Sequence, residues 1–234
     1  MIRSVLAIAI GTGLAVGNGV VRDSDQPASV SLALLYDVTM APWSADIRSD
    51  PRLKLVLSGV SEHLANQDTV QVGFVTGTVI WSRTFGMNDR SALYSETVNK
   101  IAVPVEERIR LPALCDALYE AVSAVAPGDG RRAVVVVTSG HSGGNVHSFE
   151  ELVAHAREMR VSLSAVQTPW PGTGRGTNSP EQYIKYWSQF PVSPSALLTK
   201  ITSATGGTYV APQPGVPGDL KQRLTRTLEA VHQQ

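Results

Sequence analysis

Residues 30 to 39 read VSLALLYDVT, and residues 133 to 140 read AVVVVTSG. Each is a short apolar run that ends abruptly in polar residues: Asp37 and Thr39 in the first, Thr138, Ser139 and Gly140 in the second. Such runs are too short for a core helix. They are apolar at nearly every position rather than at every second one, which suits strands buried on both faces. The second run, AVVVVT, is the most apolar strand in the chain and is assigned the centre of a sheet.

Working outward, the elements alternate in type. Leu53, Val56, Leu57, Val60 and Leu64 recur at three- and four-residue steps, predicting an amphipathic helix over 53–65. Segments 69–76 and 78–85 are β-branched and aromatic around Gly77, predicting an antiparallel hairpin. A weaker helical pattern covers 90–101. Pro112 is placed in the first turn of a helix over 113–126, stopped by Pro127-Gly128-Asp129-Gly130. Ser148 and Glu151 form the capping box of a helix running to about Met159, and 161–166 is the next strand. Ser193 and Pro194 open a helix through Thr205 that Gly206-Gly207 stops. A short strand at 208–211 follows. Asp219 then caps a last helix with Leu220, Leu224, Leu228 and Val231 turned inward.

This order predicts an α/β doubly wound sheet, mostly parallel and six-stranded, with helices on both faces. The strand order is 3-2-1-4-5-6, with strand 3 antiparallel at the edge. The winding reverses between strands 1 and 4, and ligands of such sheets sit in the crevice at the carboxyl ends there. Asp37 and Ser139 are therefore expected to look into one notch.

The totals narrow the functions available. The chain has 234 residues, 43% of them hydrophobic, and a formal net charge of zero, so it offers no broad electrostatic grip on nucleic acid or an anionic membrane. The single cysteine, Cys115, shares a helical stripe with Leu118, Val122 and Val125 and is assigned to the core. Residues 1–19, MIRSVLAIAIGTGLAVGNG, carry one Arg and then an uncharged stretch from Val5 to Val16, too short to span a bilayer. They fit a signal peptide. The expected organisation is a signal over 1–19, a linker over 20–28 and one domain over 29–234 with a long loop at about 168–193. No membrane span is expected in the mature chain, which would be exported to the periplasm or beyond.

Four stretches, LALLYDVT, LPALCDALYEAV, AVVVVTSG and LLTKITSATGGTYV, fall in an order and spacing that resemble a von Willebrand factor type A domain of the exported bacterial kind. The likeness covers residues from about 29 to 232. It implies a binding module with a metal-ion-dependent adhesion site built from Asp-x-Ser-x-Ser, a Thr from a second loop and an Asp ending strand 4. Matched position by position, Asp37 and Thr39 fill the first two places. Ala41 stands where the second Ser is implied, Pro112 where the Thr is implied, and Ser139 where the Asp is implied. Mg²⁺ needs a closed octahedron of oxygens and gives up water reluctantly, and only Asp37 retains charge among these positions. The expectation is a degenerate site with no metal and no other cofactor, Asp37 and Thr39 instead tying down the loop after strand 1.

The expected function is non-catalytic protein binding, as an adhesion or scaffold domain, at the upper rim: Asp37, Thr39, Met40, Trp43, Pro112, Ser139 and His141. The long loop adds Trp170, Tyr183, Tyr186 and Trp187, which either anchor a protein partner or cover the domain's own apolar surface. A purely structural piece of a larger envelope assembly is a third reading.

One motif points elsewhere. Gly140-His141-Ser142-Gly143-Gly144 fits G-x-S-x-G, the nucleophile elbow of serine esterases, with Ser142 as nucleophile. That chemistry needs a helix directly after Ser142, then an acid and a His. Helix signals resume only at Ser148. Asp219 and His232 lie on one helix, about 20 Å apart. His141 and His147 are assigned to solvated loops, without zinc-type spacing.

Overall fold

The computed structural model describes residues 28–40, 46–100, 102–104, 112–168, 193–212 and 219–234, with the side chains of Met40 and Lys100 excepted. The first apolar run is β1 (Val30–Asp37), which lies parallel to β2 (Thr69–Val75) on one side and to β4 (Arg131–Thr138) on the other. β3 (Val79–Gly86) pairs antiparallel with β2 at the edge. β5 (Ser162–Gln167) and the short β6 (Tyr209–Val210) extend the sheet in parallel beyond β4. The order is β3-β2-β1-β4-β5-β6, as expected from the sequence.

Strand alternation divides the core in two. Leu32, Leu34 and Tyr36 of β1, with Ala133, Val135 and Val137 of β4, pack under α1 (Pro51–His63), α2 (Arg90–Lys100) and α6 (Asp219–Gln233). Ala33, Leu35, Val134 and Val136 face the other way, under α3 (Leu114–Val125), α4 (Phe149–Glu158) and α5 (Pro194–Thr205). Both faces of β1 and β4 are thus covered, and the continuous apolar runs follow from that. Cys115 is in the second layer, where burial pushes its thiol up to about 11. The capping box at Ser148 and Glu151 forms, and Gly206 ends α5 in the left-handed region.

Several boundaries differ from the pattern, each for a polar reason. α1 begins at Pro51 because Asp50 caps it, accepting from the Arg52 amide at 2.9 Å. Asp50 is buried and also accepts from the Tyr36 hydroxyl at 2.7 Å and from the Arg52 guanidinium. Pro112 is not in the first turn of α3: the helix starts at Leu114, and its cap residue Ala113 has no side-chain cap bond of its own. Asp219 is the first helical residue of α6, and its carboxylate turns to Arg223 at 2.6 Å. His232, near the end of α6, is anchored to a buried acid. Its Nε2 lies 3.0 Å from the buried Asp68, which also accepts from the amides of Val30 and Ala65. Asp68 thereby joins the start of β1, the turn before β2 and the end of α6.

Candidate functional site

β1 and β4 are neighbours, so their carboxyl ends deliver Asp37, Thr138 and Ser139 to one notch. Asp37 is fully buried. Its Oδ1 accepts from the Thr39 amide at 3.0 Å and the Thr39 hydroxyl at 2.5 Å. Its Oδ2 accepts from Thr138 Oγ1 at 2.7 Å and, more weakly, from Ser139 Oγ at 3.5 Å. Burial pushes the Asp37 carboxyl above its ordinary value, and the bonds from Thr39, Thr138 and Ser139 oppose that shift. A short local turn, Val38–Met40, follows directly and is held by the Thr39 bonds.

A second polar layer supports the first. Gly140 turns the chain at φ +83°, where a Cβ would meet Leu198 and Pro194 at 2.9 Å, and its amide donates to Thr138 Oγ1 at 2.9 Å. His141 is buried rather than solvated. Its Nδ1 lies 3.0 Å from Ser139 Oγ, and burial lowers its pKa to about 4, so the ring is neutral at pH 7. The Ser139 carbonyl accepts from Gln167 Nε2 at 2.9 Å. The Gln167 side-chain oxygen accepts from Ser195 at 2.9 Å and Tyr209 at 2.5 Å, and its backbone carbonyl accepts from Arg223. Nothing local in the sequence marks Gln167, and only the i,i+4 spacing from Asp219 marks Arg223. The bonds by which they reach the rim span 28 and 56 residues.

The loop after β4 serves the start of α3. Ser142 Oγ accepts from the Leu114 amide at 3.0 Å, and Asn145 Oδ1 accepts from the Cys115 amide at 2.9 Å. Ser142 and Asn145 also bond each other. Two amides that α3 leaves open at its N-terminus are therefore capped from a distant loop. The Gly143 amide completes the join by donating to the Pro112 carbonyl at 3.1 Å. Further along, Asp116 accepts from the amides of Val146 and His147 and bonds the His147 ring. Burial pushes the Asp116 carboxyl up, but these bonds outweigh it and hold the group below its usual value. Tyr119 stacks between His147 and His155 at 3.9 and 4.1 Å, so His147 too is engaged and not simply solvated. Ser142→Ala and Asn145→Ala are each expected to cost about 1 kcal/mol, the usual value of a lost helix cap, measured by urea unfolding.

The structure brings together Asp37, Thr39, Ser139 and His141 around the notch, and all four are buried; Pro112 is buried too, with its carbonyl on the Gly143 amide. Ala41, Trp43, the side chain of Met40, and Trp170, Tyr183, Tyr186 and Trp187 lie outside the described residues, as do residues 1–27. The exposed part of the described rim is the hairpin turn Gly77-Thr78 and the loop residues Gly144, Asn145 and Val146, the last 86% exposed. The one carboxylate of the notch is buried and already accepts from four donors, and among the described residues no group of three or more His, Cys, Asp or Glu could hold a metal.

A six-stranded sheet in this order, with its crevice between β1 and β4, is the fold of a von Willebrand factor type A domain. No family model matches the sequence, and no curated protein matches it by sequence. Solved structures match it in fold. An aerotolerance-related membrane protein from Bacteroides fragilis superposes with a TM-score of 0.57 at 14% identity, over 88% of this chain and 100% of that one. BatB from Bacteroides thetaiotaomicron gives 0.55 at 16% identity, with the same coverage of 88% and 100%. A von Willebrand factor type A protein from Catenulispora acidiphila gives 0.50 at 13% identity, over 87% of this chain and 43% of that one. At these identities the likeness is one of fold.

Proposed function

We propose that the chain is an exported, non-catalytic protein-binding domain that works through its upper rim without a divalent metal. The observation that carries this is the saturation of Asp37. Both carboxylate oxygens are occupied by protein donors, so the residue a metal would need most is spent on holding two strand ends together. What remains for a partner is the outer lip, where Val146 presents an apolar side chain on a loop pinned from below by Asp116. Rigid presentation lowers the ordering cost of binding.

Two further features favour binding over catalysis. Ser142 caps α3 instead of sitting at a strand-to-helix elbow, because α4 begins seven residues later at Phe149. The neighbouring Asp37, Ser139 and His141 have the serine in the middle, and Ser139 is 1% exposed. A base with a pKa near 4 is also poorly matched to neutral pH.

The test is capture of envelope proteins from the native host by the mature chain, with and without EDTA, beside Val146→Asp. Val146 is a surface residue, so its variant should fold normally. Capture that survives EDTA and disappears with Val146→Asp is the expected result. Capture abolished by EDTA, or indifferent to Val146→Asp, would overturn the reading.

A further inference from the structure

We infer that the opposite end of the sheet carries a binding site for a phosphoryl group. A cleft of about 580 Å³ opens between the start of β4, the end of α4 and the end of α5. That is within the range of clefts that hold small ligands. Arg131, Arg132, Arg157 and Arg160 all line it, and among the described residues no Asp or Glu does. The chain as a whole has 20 basic and 20 acidic residues, so four arginines gathered around one cleft are a strong local departure from its average.

Four arginines elsewhere meet carboxylates, Arg48 with Asp46, Arg52 with Asp50, Arg83 with Glu96 and Arg223 with Asp219, while Arg90 meets only carbonyl oxygens and Asn66. In the cleft, Arg132 donates to the Ala126 carbonyl at 2.9 Å and Arg157 to the Ala204 carbonyl at 2.8 Å. These single bonds orient the two groups and leave most of their N–H donors unused. Arg131 Nη1 is buried with no hydrogen-bond partner.

Arg160 supplies an independent observation. It directly follows the C-cap of α4, and its φ is +54°; among the described residues no other non-glycine residue has a positive φ. Glycine is the usual occupant of that place. A long cationic side chain is held there against backbone preference, and strain of this kind clusters at functional positions.

A single carboxylate would balance only one of the four charges. A phosphate monoester dianion has three terminal oxygens that accept from several guanidinium forks together, which is the geometry arginine suits. The cleft lies at the amino end of β4 and the Asp37 notch at its carboxyl end, roughly 20 Å apart at the rise of a strand. The two sites are therefore separate, and the proposal stands or falls apart from the rim.

The experiment is calorimetric titration of the full chain at low salt with inorganic pyrophosphate, inorganic phosphate and glycerol 3-phosphate, on wild type and Arg160→Gly. Saturable one-to-one binding is expected, weakening with added salt. Arg160→Gly should lower affinity by roughly tenfold, while its thermal midpoint holds or rises because glycine is at ease at that φ. Tighter binding of glycerol 3-phosphate than of phosphate would identify an ester as the source; the reverse would identify free phosphate. No saturable heat with any of the three at millimolar concentration, or unchanged affinity in Arg160→Gly, would overturn the proposal. So would binding of an acidic peptide with no response to phosphate.

Discussion

Asp37→Ala is expected to lower the unfolding free energy by about 2–4 kcal/mol, because it strands several buried donors at once. The Thr39 amide, the Thr39 hydroxyl and Thr138 Oγ1 all lose their acceptor, and the pocket is sealed from water. Asp37→Asn separates this structural role from a charge-dependent one. Its carbonyl can still accept from Thr39, and its amide can donate to Thr138 Oγ1. The loss should stay within about 1 kcal/mol. Wild-type stability in urea should not respond to Mg²⁺.

The pH dependence gives a second readout with a definite sign. Burial raises the Asp37 carboxyl in the folded chain, against the opposing hydrogen bonds. Between the ordinary carboxylate range and that raised value, the folded state holds a proton that the unfolded state has released. Stability must therefore fall as pH rises through this window and level off above it. Asp37→Asn has no such proton, so its stability relative to wild type should climb across the same window. A flat difference, or an alanine variant as stable as wild type, would remove Asp37 from this role.

How much of this was legible depended on the range of the cause. The six strands, their order and the pairing of Asp37 with Ser139 follow from local apolar runs and the handedness of crossovers. Those are properties of short windows. Asp50, Asp68 and Gln167 carry no sequence signal, since their importance comes from partners up to 164 residues away, and no periodicity records such a bond. Pro112 misled for a related reason: proline favours a first helical turn, but here the cap arrives from Ser142 in another loop. Sequence alone places the histidines at 141 and 147 in solvent, because loops are usually exposed. This loop is instead folded down onto the ends of β4 and α3. The arginine cleft was invisible for the opposite reason: its charges are split between 131–132 and 157–160 in a chain that is neutral overall.

Arg223→Ala is expected to cost about 3–5 kcal/mol, the range for removing one partner of a buried ion pair. Arg223 is 4% exposed and Asp219 8% exposed, one turn apart on α6. Their closest atoms, Nε and Oδ2, are 2.6 Å apart yet make no aligned hydrogen bond, so the contact is chiefly ionic. Burial pushes the guanidinium below its usual value, and Asp219 opposes this. Without Arg223, Asp219 is left as a nearly buried charge and the Gln167 carbonyl loses a donor. The damage should travel upward. Gln167 holds the Ser139 carbonyl, and the adjacent Thr168 amide donates to the Thr138 carbonyl at 2.8 Å. Hydrogen exchange at the Thr168 amide should accelerate in Arg223→Ala beyond the change at Val135, in the middle of β4. Asp219→Asn combined with Arg223→Met should recover part of the loss, since a buried pair replaced whole is often neutral where a broken one is not. If the double variant is as unstable as the sum of the singles, the two residues act independently, and the rim does not rest on their pairing.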